Sequence, residues 1–243
     1  LRREMRQFEG AWFSQAAIDR SKIRLQRLGY FKTVDITTPR VAGSDDQVDV
    51  LVKVEEQSSG AFQFGLGYSQ LQGLLTSISV TQRNFLGTGN SVGITLQNNS
   101  VLRRFDFSYI DPYFTDDGVS LGYTLSYREL DQGEANIANY TSDIASGSVI
   151  MGIPLTETDT LSMVMSLSRN QIGTFPGITP PEIIDYINEL GKRTFSTWGL
   201  QAGWSRDSRN KYFAPTRGAY QRVGAEVALP GSTQEAYKLF YEG

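Results

Sequence analysis

Side chains that could carry out chemistry are scarce in this chain of 243 residues, which contains neither His nor Cys. Without them there is no Ser-His-Asp triad, no Cys-His pair, no disulfide and no zinc site of the usual kind. The remaining clusters fail on spacing. Asp45, Asp46 and Asp49 lack the spaced ligands and central glycine of a calcium loop. The glycines of FLGTGN are turn glycines and not part of a phosphate cradle. The tripeptides Asn98-Asn99-Ser100 and Asn139-Tyr140-Thr141 match the glycosylation sequon but are of a kind that arises by chance. A net charge of -3 spread along the chain gives no nucleic-acid footprint. The expectation is a protein that is not an enzyme and needs no cofactor or metal. Most familiar hydrolase chemistry is therefore missing, and what is left to the chain is its polar and apolar groups and how they are placed.

Two kinds of periodicity position those groups. In the first 57 residues Ser14 is a helix N-cap, Ile18, Leu25 and Leu28 share a face, and Gly29 stands where a helix C′ residue belongs, which predicts a helix over about 15 to 28. A further helix is expected at Leu1 to Phe8. Tyr30 to Thr37 and Val48 to Val54 alternate at period two with the turn-rich VAGSDDQ between them. Residues 1-57 therefore read as a small α+β domain.

From residue 58 onward the pattern is β throughout. Phe62, Phe64, Leu66 and Tyr68 alternate with Gln63, Gly65, Gly67 and Ser69, and the theme recurs in Val92 to Leu96, Phe105 to Tyr109, Val119 to Tyr127, Val149 to Ile153, Leu161 to Leu167, Trp198 to Trp204 and Val223 to Leu229. The reading is nine strands and the start of a tenth at Tyr237, Leu239 and Tyr241, in an antiparallel meander. One set of connections looks compact, namely NFLGTGN, DPYFTDDG, PLTETD and RDSRNKYFAPTRG. The other set looks long and includes NNSVLRR, ELDQGEANIANY and a segment carrying PPEIIDYINELG as a short surface helix. Within DPYFTDDG, Asp111-Pro112 should open the reversal and Asp117-Gly118 supply its positive φ.

No run approaches the roughly 20 apolar residues of a membrane-spanning helix, but a membrane β-barrel needs only strands of about 9 to 11 residues. Alternation by itself fits a soluble sandwich equally well. Aromatic residues near strand ends (Phe85, Tyr109, Tyr113, Phe114, Tyr127, Tyr212) and an apolar face from which Lys and Arg are withheld between strand ends favour the barrel. Lipid should then lie against Val119, Leu121, Tyr123, Leu125 and Tyr127, and an aqueous lumen against Ser120 to Ser126. Arg103 is the exception, sharing a face with Phe105 and Phe107. Trp198 and Trp204 share the apolar face.

Several segments taken in order resemble one family. LRREMRQFEGAW, LGYFKTV and QVDVLVKVEE are similar to the last POTRA domain of the BamA family of outer-membrane-protein assembly factors, and NFLGTGN, DPYFTDDGVSLGY and FAPTRG are similar to the periplasmic turns of its barrel. The resemblance implies an incomplete POTRA-like periplasmic domain lacking its first strand at residues 1-57, and at 58-243 the N-terminal part of an antiparallel transmembrane barrel, about ten of sixteen strands. It implies the bacterial outer membrane as location, unfolded outer-membrane protein precursors as clients, and outer-membrane lipid and accessory lipoproteins as partners. In family terms the first barrel strand is a lateral seam for pairing with client strands, which here points to Phe62, Gln63, Phe64, Gly65, Leu66, Gly67 and Tyr68. Gly65 and Gly67 either weaken that pairing or are merely small lumenal residues. The family's lipoprotein partner makes Arg2, Arg3, Glu4, Arg6 and Glu9 the docking candidates. The alternative implied is a two-partner secretion type transporter that passes a dedicated protein through the lumen.

Overall fold

The structure is a computed structural model and describes residues 1–134, 139–209, 215–233 and 235–243. The chain divides into a unit of Leu1–Ala61 and a unit of Phe62–Gly243.

In the first unit helix α1 (Gln15–Arg27) starts where Ser14 accepts a hydrogen bond from the Ala17 amide and ends before Gly29, whose φ is 70°. Ile18 and Leu25 are its buried stripe, and α1 packs on strand β1 (Phe31–Thr37), which contributes the buried Val34. Strand β2 (Leu51–Glu56) pairs antiparallel with β1, Val34 opposite Val54 and Ile36 opposite Val52. It starts later than the alternation from Val48 suggests, and Val48 makes only an isolated bridge to Arg40. Between them Pro39 has no N–H to offer a continuing ladder. The helix expected at Leu1 to Phe8 is a single 3-10 turn, Arg2–Glu4, after which Met5 is extended. The Arg6 amide that would continue a helix instead donates to Ser21 Oγ on α1 at 2.8 Å.

The second unit is one sheet of ten strands: β3 (Gly60–Ser69), β4 (Gly73–Gln82), β5 (Ser91–Asn98), β6 (Leu102–Asp111), β7 (Ser120–Asp131), β8 (Tyr140–Pro154), β9 (Asp159–Thr174), β10 (Thr194–Asp207), β11 (Tyr220–Ala228) and β12 (Tyr237–Glu242). Neighbours in sequence are neighbours in the sheet, so the meander holds, with β3 and β12 as its terminal strands. The register extends the two-faced pattern across the sheet. Ile94, Phe107, Leu125, Gly147, Leu167 and Trp198 form one row on the apolar face, while Thr95, Asp106, Ser126, Ser146 and Ser168 lie opposite one another on the polar face.

The connections differ from the sequence reading. At the end where the chain enters β3 they span 83–90, 112–119, 155–158 and 208–219, and at the other end 70–72, 99–101, 132–139, 175–193 and 229–236. The two ends therefore do not separate into short turns and long loops. Polar residues that read as loop are paired strand instead: β8 and β9 stay in register out to Tyr140 opposite Thr174. NNSVLRR shrinks to a tight reversal because Asn99 Oδ1 accepts from the Val101 and Leu102 amides at 2.9 and 2.8 Å. DPYFTDDG folds as its composition suggests, with Asp111 Oδ1 accepting from the Tyr113 amide and Gly118 at φ 86°. Helix α2 (Pro181–Leu190) begins at proline and ends at Gly191, and its Ile187 packs with Ile172 of β9 and Phe195 of β10.

Two residues of the Val119 to Tyr127 alternation depart from the expected lipid contact. Val119 lies in the turn, bonded to Thr115 through both its amide and its carbonyl, and Leu121, although on the apolar face, is 9% exposed. Tyr123, Leu125 and Tyr127 are exposed as expected. Tyr212 lies outside the described residues.

Candidate functional site

The seam candidate is the terminal strand β3. Its alternation puts Phe62, Phe64, Leu66 and Tyr68 on the apolar face, 59 to 77% exposed. Gln63, Gly65 and Gly67 face the polar side. β3 hydrogen-bonds to β4 within the sheet, and among the described residues no strand pairs with its other edge, so alternate N–H and C=O groups of Phe62 to Tyr68 point away from the ladder. A Cβ at Gly65 would come 2.4 Å from Ser77 Oγ, and one at Gly67 would make ordinary contact with Leu75 at 3.6 Å. The two glycines leave a concavity of about 340 Å³ beside the edge, lined also by Leu75, Ser77 and Gln97. Ser77 can relieve the Gly65 contact by rotating its hydroxyl, so alanine there is costly only while that rotamer is held.

The polar face is built of small residues in opposed pairs. Gly93 faces Ser108, Gly152 faces Ser120, Gly199 faces Ser166 and Gly203 faces Ser162. Asp106 on this face lies against a cation and a hydroxyl: Arg104 Nε is 2.5 Å from its Oδ2, and Ser126 Oγ donates to its other oxygen at 2.7 Å. Such a surface can line water without narrowing a lumen.

The apolar face is bounded by charge at both ends. Along β9 it runs through Leu161, Met163, Met165 and Leu167, with Asp159 before and Arg169 after. Those ten or so steps span about 33 Å along the strand, or about 25 Å along a membrane normal at a tilt of about 40°, the height of a barrel's apolar band. Arg103, the exception on this face, stands opposite Glu129 on β7 at 3.4 Å, and Glu129 in turn stands opposite Asp143 on β8. The charge therefore lies in a row beyond the last aromatic rungs. Arg169 was hidden from sequence reading because β9 was taken to end near Leu167.

The docking candidates of the first unit are placed unequally. Arg2 and Glu9 are exposed and form an ion pair with each other. Arg3 is exposed and Arg6 half-buried. Glu4 is not on the surface: it is 5% exposed and accepts from Arg24 Nε of α1 at 2.8 Å. It ties the segment to α1 and offers nothing to a partner. Sequence reading also passed over Phe8 and Trp12, which are 68 and 96% exposed beside the charged run. Large aromatics in a stretch without periodicity were the available signal. Among the described residues no three carboxylates converge as metal ligands would.

Two family profiles match the chain, one within each unit. The profile of the Omp85 superfamily domain matches residues 84–243, and that of POTRA, described as a surface antigen variable number repeat, matches residues 1–57. The outer membrane protein assembly factor BamA of Neisseria meningitidis serogroup B is 34% identical over 98% of this chain and 31% of its own length. BamA of Buchnera aphidicola is 30% identical over 57% of this chain and 22% of its own. Among solved structures, BamA from Haemophilus ducreyi lacking POTRA domains 1-3 superposes with a TM-score of 0.71 at 31% identity, covering 98% of this chain and 47% of that one. CdiB from Acinetobacter baumannii shares the fold at a TM-score of 0.52 and 12% identity, over 96% of this chain and 43% of that one. The chain spans less than a third of the curated relatives' length.

Proposed function

The chain belongs to the Omp85 superfamily, and from that premise we propose that it works in a machine that folds and inserts β-barrel proteins into the bacterial outer membrane. In this reading residues 58-243 are barrel wall and residues 1-57 a POTRA-like domain in the periplasm. The clients are unfolded outer-membrane protein precursors, and β3 is the strand that receives them. The observation that carries the reading is the 34% identity to a BamA over 98% of this chain, together with a two-faced antiparallel sheet whose first strand is β3. An incoming strand that pairs there gains main-chain hydrogen bonds in lipid, where an unpaired N–H or C=O costs several kcal/mol. Pairing of this kind requires neither a cofactor nor covalent catalysis, so the protein is not an enzyme in this account. Accessory lipoproteins dock on the first unit through Arg2, Arg3, Arg6 and Glu9, with Glu4 holding that segment in place from inside.

Passage of a dedicated protein through the lumen is the contrasting mechanism, and one experiment separates the two. In the full-length protein, where likeness to the BamA family implies that the last barrel strand meets the first, a disulfide engineered between that strand and β3 closes the seam and leaves the lumen open. Insertion of a precursor into vesicles, read as a protease-protected barrel, should stop and return on reduction. Undiminished insertion with the seam closed would overturn the proposal.

A further inference from the structure

We infer that the apolar face carries a site for one anionic, phosphate-bearing lipid, its acyl chain in a groove floored by Gly147 and its headgroup on Arg169. The inference rests on the reading of this face as lipid-facing. The groove, of about 430 Å³, is walled by Phe107, Leu125, Met165, Leu167 and Trp198, so its lining is almost entirely apolar. It exists because Gly147 stands in a row of large side chains, between Leu125 on β7 and Leu167 on β9. A Cβ there would already approach Leu125 Cδ2 to 3.3 Å. One rung outward on the same strand and face is Ala145, so the floor continues as a channel of small residues toward the charged row.

The residue opposite Ala145 on β9 is Arg169, and on β7 it is Tyr127. Arg169 is exposed on the apolar face, and no hydrogen bond or ion pair is seen for it among the described residues. Arg103, by contrast, is neutralised by Glu129. A lone guanidinium at the mouth of an acyl-sized groove matches a phosphate, which it can grip through two parallel N–H donors. Asp143 lies one rung farther out, opposite Gln171, and its carboxylate opposes an anion. That opposition fixes the sign of a control: removing the carboxylate should strengthen binding. The site is on β6 to β10, strands inside the sheet, so it is separate from the β3 edge.

The test uses the full-length protein in phosphatidylcholine vesicles doped with brominated phosphatidylglycerol or, at the same mole fraction, brominated phosphatidylcholine. Trp198 emission is taken as the difference between each protein and its Trp198→Phe counterpart. Quenching should favour the anionic lipid by about fivefold, the factor expected for one basic residue at an anionic surface. Arg169→Gln and Gly147→Leu should each abolish that preference, and Asp143→Asn should raise it. Equal quenching by the two lipids, or a preference that survives Arg169→Gln, overturns the site. Absence of quenching by either lipid would overturn the lipid-facing assignment itself, and the site with it.

Discussion

Glu4 and Arg2 show how two residues of one charged run take opposite roles. Glu4 is buried and accepts a hydrogen bond from Arg24 of α1, so removing it takes away a tie between the segment and the helix, whereas Arg2 and Glu9 are exposed in water, where an ion pair contributes at most about 1 kcal/mol. Glu4→Ala should therefore loosen the segment and lower hydrogen-exchange protection of α1 by at least tenfold, while Arg2→Ala leaves it within about twofold. Comparable effects from both would contradict the assignment of Glu4 as an internal tie. The sequence offered no sign of this difference, because the partner lies 20 positions away on another element. Face assignment was more legible, since parity alone fixes it. Leu125→Arg places a charge on the apolar face and should cost about 2 to 4 kcal/mol, and Ser146→Arg, on the polar face, should be tolerated. Urea unfolding of the full-length protein in vesicles measures both, and equal stability of the two variants would contradict the face assignment.

At the scale of elements, local chemistry made some boundaries readable and pairing decided the others. α1 is bracketed by Ser14 and Gly29, and α2 by prolines and Gly191, all residues whose preferences act within a turn or two. The outer half of β9 has no such marker. Its Arg169 to Thr174 is polar and reads as loop, yet it is held in ladders on both sides, with Gln171 opposite Asp143 and Thr194. The same extension builds the small core of Ile172, Ile187 and Phe195 on which α2 rests. Ile187→Ala should weaken that docking by about 2 to 4 kcal/mol and open residues 175–193 to protease on the vesicle surface. If cleavage there is unchanged, α2 is held by something other than this cluster.

For the whole molecule, an antiparallel meander two-faced along its length was visible in the alternation. The distinction between a soluble sheet and a membrane wall came from what bounds the apolar face, Asp159 at one end and Arg169 with Arg103 at the other, on strands long enough to cross a bilayer. The strand order was legible as well, since a meander places its first strand, β3, at one end of the sheet. The central claim is that β3 receives client strands by edge pairing, and the absence of native cysteine in this chain makes a direct test clean. A single cysteine replaces Gln63 or Phe64 in the full-length protein, and a second is moved stepwise along the terminal strand of a stalled barrel precursor. Directly opposed residues in a paired ladder bring Cβ atoms to about 4.5 to 5.5 Å, near disulfide range, and a shift of one residue turns the side chain to the other face. The account predicts cross-links that appear and vanish with that two-residue period. Absence of any cross-link in a protein that still inserts precursors would show that β3 does not template them.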